Sequence, residues 1–161
     1  MKRLGLTTLA AGLLIACFDP AHDDRVDALG PEAPGVPQGP LHRPGQPCTV
    51  CHGGEGPGSP TFDLAGTAFE SKGQLTPLAG GTILLVDSQG RSLALGTNEA
   101  GNFWASESEL GLSFPFWAAV EHGGERIEMK TPIFRARSCA DCHADPAGPS
   151  SAGHVYLKAT P

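Results

Sequence analysis

The chain has 161 residues, with 11 Lys and Arg against 17 Asp and Glu, a formal net charge of −6 with His neutral. That length holds one domain with appendages and excludes a large enzyme. The acidic balance argues against nucleic acid as a partner and favours a protein partner with a basic docking surface.

Residues 1–16 have the form of an export signal, with Lys2 and Arg3 as a short positive start and an apolar or small run from Leu4 to Ala16. The run is too short to span a bilayer, and no later segment reaches the roughly 18 uncharged apolar residues that a transmembrane helix needs. It ends in Leu14-Ile15-Ala16-Cys17, which closely resembles the lipobox of bacterial lipoproteins. The resemblance implies cleavage before Cys17, a diacylglycerol on its sulfur, and a lipid-anchored place in the bacterial cell envelope, on the periplasmic side or the outer surface. An ordinary signal peptide with an incidental cysteine is the plainer alternative. Removal of residues 1–16 takes Lys2 and Arg3 and leaves 145 residues, in which nine basic side chains face seventeen acidic ones, a net charge near −8.

Residues 17–47 read as the lipid anchor and a tether. Pro20, Pro31, Pro34, Pro37, Pro40, Pro44 and Pro47 alternate with Gly30, Gly35, Gly39 and Gly45. Such composition buries little and resists regular helix or sheet, so its expected role is to hold the folded part off the lipid surface. His22 is expected to be exposed, whereas His42 lies six residues before Cys48.

Cys48-Thr49-Val50-Cys51-His52 opens the next segment, residues 48–60, and Cys139-Ala140-Asp141-Cys142-His143 recurs within residues 135–161. Both copies have the C-x-x-C-H pattern of c-type haem attachment. Two cysteines form thioethers with the vinyl groups, the adjacent histidine approaches the iron, and the axial ligands and pocket set the potential. The expected cofactor is two covalent c-type haems, bound by Cys48, Cys51, His52, Cys139, Cys142 and His143. With Cys17 lipidated, all five cysteines are used. The rival is a tetrahedral zinc site, or two disulfides, built from the same four cysteines. Neither needs a histidine immediately after each pair, and a c-type haem does.

Between the motifs, residues 61–134 read as β-structure. Phe62–Phe69 is expected as an early edge strand and Thr82–Val86 as a strand ended by the turn Asp87-Ser88-Gln89-Gly90, with Ser92–Leu95 returning. Asn98–Gly101 turns into Asn102-Phe103-Trp104, Phe114–Val120 forms a strand, His122–Glu125 turns, and Arg126–Met129 follows. No sustained helical period crosses this body. Phe62, Phe69, Phe103, Trp104, Phe114, Phe116 and Trp117 are expected to close the core of two small sheets.

The stretch Pro77–Gly90, followed by Thr97-Asn98-Glu99-Ala100-Gly101-Asn102-Phe103, resembles the carboxypeptidase regulatory-like domain, a prealbumin-like β-sandwich. Phe62-Asp63-Leu64-Ala65-Gly66-Thr67 fits its opening strand, and the likeness covers about seventy residues. It implies a mainly β fold, a small sandwich flanked by two irregular or short-helical haem-binding segments. It implies little about activity, because that family is mostly a non-catalytic accessory module.

His52 and His143 are the expected proximal ligands. For the distal positions His154 is preferred, and His42, Met129 and His122 are the other candidates; the plain alternatives are ordinary exposed histidines for His42 and His154, core packing for Met129 and a turn for His122. A bis-histidine iron has a lower potential than a histidine–methionine one. The expected function is a membrane-anchored electron carrier between extracytoplasmic redox proteins, without enzymatic activity of its own. The alternatives are a small haem enzyme or gas sensor with one open iron position, and a non-redox β-sandwich lipoprotein held by zinc or disulfides.

Overall fold

The computed structural model describes residues 19–159; Cys17 and the run before it lie outside them. The described residues contain seven strands: β1 (Leu64–Ser71), β2 (Thr82–Asp87), β3 (Ser92–Gly96), β4 (Asn102–Ala105), β5 (Phe116–His122), β6 (Glu125–Glu128) and β7 (Val155–Lys158). They form a three-stranded sheet ordered β4-β1-β7 and a four-stranded sheet ordered β3-β2-β5-β6.

The strands and turns of the four-stranded sheet follow the expected order. β2 alternates, with Ile83, Leu85 and Asp87 buried and the residues between them half-buried, the period of a strand with one face on the core. Both sheets fill that core. Leu64 and Ala68 of β1, Phe103 of β4 and Leu157 of β7 join Ile83 and Leu85 of β2 and Phe116 and Val120 of β5 in a single cluster. Burying a side chain such as Phe103 or Phe116 contributes roughly 1.5–3 kcal/mol.

β1 is not the edge strand that its sequence position implies. It lies between β4, which it meets antiparallel with Gly66 opposite Phe103, and β7, which it meets parallel with Phe69 opposite Tyr156. Leu64 to Phe69 are therefore buried without a break. Leu64 and Ala68 face the core, so by alternation Ala65, Thr67 and Phe69 face the other way. β7 arises in a stretch expected to be irregular, because a parallel partner needs a long crossover and leaves no hairpin signal nearby.

A helix, α1 (Pro20–Ala28), occupies part of the segment expected to resist regular structure. Its start has a local cause: Asp19 Oδ1 accepts from the Ala21 and His22 amides at 3.1 Å each, and Pro20 takes the first turn, where no amide hydrogen is needed. Beyond α1 the chain folds back as a strap along β1 and β4. Asn98 Nδ2 donates to the Pro40 carbonyl at 2.6 Å, Asn102 Nδ2 to the His42 carbonyl at 3.0 Å, and the Gly45 amide to Thr67 Oγ1 at 2.8 Å.

The β2–β3 turn is closed by a buried carboxylate. Asp87 Oδ1 accepts from the Gln89 and Arg91 amides at 2.9 and 3.0 Å, and Oδ2 from Arg91 Nε at 2.8 Å and the Ser113 amide at 3.3 Å. Burial alone raises an acid, but the amides of Arg91, Ser113 and Gln89 and the Arg91 guanidinium outweigh it and hold Asp87 below its ordinary value. The stabilisation is complete above the unfolded carboxyl value of about 3.9 and is lost as pH falls through the lower folded value. Asp87→Asn is expected to lower the urea midpoint at pH 7 and to flatten its fall between pH 5 and 2. An equal acid slope in both proteins would remove Asp87 from the acid response.

Candidate functional site

The first motif forms a one-turn helix, α2 (Cys48–His52), with Val50 3% and His52 8% exposed. The loop after it curls back at once. The Gly58 amide donates to the Cys51 carbonyl at 2.8 Å and the Phe62 amide to the His52 carbonyl at 2.7 Å. His52 Nδ1 lies 2.7 Å from the Pro60 carbonyl oxygen. A carbonyl only accepts, so Nδ1 carries the hydrogen and Nε2 the lone pair. The approach is close enough that a Cβ on Gly58 would stand 2.8 Å from His52 Cγ and Nδ1. The glycines at 53, 54, 56 and 58 are the sequence signal for this loop, legible only with the ring beside them.

Beside α2 lies a cavity of about 840 Å³ lined by Cys48, Cys51, His52, His42, Phe62 and Trp104, among others, within the size range of cofactor pockets. Phe62 and Trp104 line this cavity instead of filling the core. The His52 ring stacks on Phe62 at 4.4 Å and 15°, and Phe62 on Trp104 at 5.5 Å and 25°. Ala65 of β1 and Phe103 and Trp104 of β4 contribute to one wall, and strap residues including Glu32, Pro40, His42, Arg43 and Gln46 to another. Arg43 gathers the strap, donating from Nε to Glu32 Oε1 at 3.1 Å, from Nη1 to the Leu29 carbonyl at 3.2 Å and Gln46 Oε1 at 2.9 Å, and from Nη2 to the Gly30 carbonyl at 2.6 Å.

The second motif makes a 3₁₀ turn, Cys139–Asp141, after which the His143 amide donates to the Cys139 carbonyl at 2.8 Å. His143 Nδ1 lies 2.9 Å from the Gly153 carbonyl oxygen, so this ring has the same tautomer as His52. Ser151 holds the loop between them, its Oγ accepting from the Ala144 amide at 2.8 Å and donating to the Ala144 carbonyl at 2.6 Å.

The two motifs, far apart in sequence, meet on neighbouring residues of β1. Ala65 lines the first cavity, while its amide donates to the Arg137 carbonyl at 2.9 Å and its backbone bridges Ser138. Cys139 packs on the core at Gly66, where an added Cβ would come within 2.8 Å of Cys139 Cβ and Sγ. Burial pushes the Cys48 thiol up to about 11, with Cys51 adding to it. Burial pushes Cys139 up to about 12, with the neighbouring charges of Cys48, Asp141 and Cys142 adding. Cys142 is exposed, and all four of these thiols are free.

The distal candidates separate. The His42 ring stands 5.8 Å from that of His52, at 64°. His154 stacks on Phe69 at 4.6 Å and 20°, with Nδ1 3.3 Å from Asp145 Oδ2. Its Nε2 faces Gly45, where a Cβ would be 3.2 Å away. It borders a second cavity of about 450 Å³ with Lys72, Asp145 and Pro146. Met129 follows β6 in the four-stranded sheet, its amide donating to the Ala118 carbonyl at 2.8 Å. His122 is exposed, its Nδ1 3.2 Å from the Gly80 carbonyl oxygen.

No family model, curated protein or solved structure matches this chain.

Among the described residues, no three His, Cys, Asp or Glu side chains converge as a metal-ion site. A structural zinc site draws its ligands from the protein, whereas a porphyrin supplies four of its iron's ligands and leaves one or two to the chain. Each motif brings two cysteines and one oriented imidazole. No described helix is long and apolar enough to cross a membrane.

Proposed function

We propose that this protein is a lipid-anchored dihaem c-type cytochrome that carries electrons between extracytoplasmic redox partners. One observation carries the reading. Each histidine that follows a Cys-x-x-Cys pair donates its Nδ1 hydrogen to a backbone carbonyl, Pro60 for His52 and Gly153 for His143. Such a bond fixes the tautomer and the ring orientation, strengthens the imidazole as a donor and presents Nε2 to a metal. A four-cysteine zinc site or a pair of disulfides would leave both imidazoles without a part in the site.

Cys48, Cys51 and His52 would hold the first haem, and Cys139, Cys142 and His143 the second. When bound, each haem iron supplies a reversible one-electron ferric–ferrous couple. The chain's own part is to fix the ligands and keep water from them. Phe62, Phe103 and Trp104 give the first site apolar surroundings, and Ala65 at its wall adjoins Gly66, against which Cys139 packs, so both sites border one strand. That shared strand favours electron transfer between the haems as well as with partners. The acidic surface steers partners with basic docking faces.

The same proposal covers the fold family and the anchor. The three- and four-stranded sheets around one core support a prealbumin-like sandwich of the carboxypeptidase regulatory-like kind. With Cys17 lipidated, only Phe18 and Asp19 would separate the anchor from α1, so the body would ride close to the membrane with little slack.

Intact mass and reduced-minus-oxidised absorption, on protein made with c-type haem maturation machinery, test the reading. The expected result is two covalent haems with sharp reduced c-type bands. A colourless protein containing zinc or disulfides would overturn it.

A further inference from the structure

We infer that His42, on the strap, is the second protein ligand of the iron held by His52, and that Glu32 is the group that holds its ring. The inference rests on the haem reading above. Two imidazoles on opposite sides of one metal, each bonded at about 2 Å, have ring centres roughly 6 Å apart. The His42 and His52 rings are 5.8 Å apart and both line the same cavity.

The ring nitrogens divide in the way that two-sided ligation needs. His52 has committed Nδ1 to the Pro60 carbonyl. His42 Nδ1 lies 3.1 Å from Glu32 Oε1, within reach of it though not aligned as a hydrogen bond, and Nδ1 is buried with no other partner. That leaves Nε2 on His52, and on His42 a carboxylate beside Nδ1 favours the hydrogen there and the lone pair on Nε2. A carboxylate behind Nδ1 makes an imidazole a stronger donor and favours the oxidised, more positive iron.

Loop residues make poor ligands when ordering them is costly, but this loop is already fastened. Asn102 Nδ2 holds the carbonyls of Pro40 and His42, Thr67 Oγ1 holds the Gly45 amide, and Arg43 ties Glu32 to the carbonyls of Leu29 and Gly30. Glu32 thus stands between the Arg43 guanidinium and the His42 ring. The rivals face elsewhere: His154 is stacked on Phe69, and Met129 lies beyond β6 in the other sheet. Neither lines the first cavity.

The test uses the dihaem protein and its His42→Ala, His154→Ala and Glu32→Gln variants, read by intact mass, ferric absorption and EPR, carbon monoxide binding and redox titration. In His42→Ala both haems remain attached, one more haem than in the parent becomes high-spin and binds carbon monoxide, and added imidazole restores the parent spectrum. In Glu32→Gln one of the two midpoint potentials rises while the other stays, a readout independent of how well His42→Ala folds. The inference is overturned if His42→Ala keeps two attached haems with the parent spectrum, if His154→Ala produces the additional high-spin haem instead, or if Glu32→Gln moves neither potential. Absence of covalent haem from the parent protein itself is the separate result that removes the haem reading.

Discussion

Cys48→Ser together with Cys51→Ser is expected to yield protein one haem lighter, with about half the haem absorbance. A thiol adds its S–H across a vinyl double bond, and a serine hydroxyl does not replace it in that reaction. Cys48 and Cys51 lie on the cavity wall outside the core cluster, so these substitutions disturb the core itself less than a change at Cys139. The matching pair, Cys139→Ser and Cys142→Ser, is also expected to lose one haem, but with a lower unfolding midpoint. Cys139 packs against the core, and an unsatisfied hydroxyl buried there costs about 1–3 kcal/mol. Changing all four should leave a colourless folded chain. Intact mass and haem absorbance give the stoichiometry, and urea unfolding the stability. Two haems retained in either pair would contradict the motif assignment.

Gly66→Ala should be the most damaging single methyl in the three-stranded sheet. Its Cβ would stand 2.7 Å from Phe103 Cζ and 2.8 Å from both Cβ and Sγ of Cys139. β1 cannot shift to relieve the overlap, because β4 holds one edge while β7 and the Ala65–Ser138 bridge hold the other. Overpacking of this kind typically costs about 1–3 kcal/mol. The displaced neighbour is the first cysteine of the second motif, so the second haem should load less completely while the first loads normally. Gly96→Ala is the comparison: it ends an edge strand, and its Cβ would meet nothing within 4 Å. Urea midpoints and haem count by intact mass decide the matter. Equal behaviour of the two variants would show that the Gly66 contact carries no constraint.

The parts of this molecule legible in the sequence are those written in short spans. The turn at Asp87–Gly90 is closed by a side chain two to four residues from the amides it holds. The short apolar run Ile83–Val86, followed at once by that turn, suffices to declare a strand, whereas which of its side chains are buried is seen only in the fold. Both C-x-x-C-H motifs stand within five residues each, so the candidate proximal ligands could be named without a fold. The strap misled for a related reason: proline and glycine describe its local stiffness, whereas its docking depends on Asn98, Asn102 and Thr67, more than twenty residues further on.

By itself, then, the sequence determined the two C-x-x-C-H motifs, the strands and turns of the four-stranded sheet, and the acidic net charge. Only the tertiary structure decided that β1 is central, that β7 pairs with it in parallel, and that Ala65, on the wall of the first motif's cavity, stands next to Gly66, where Cys139 packs. It alone turned Phe62 and Trp104 to a cavity and brought His42 within 5.8 Å of His52. Turns and strand periodicity are set by neighbours along the chain, whereas each of these placements depends on contacts between residues distant in sequence. Such contacts form when folding brings separate apolar faces together, and no local pattern records them.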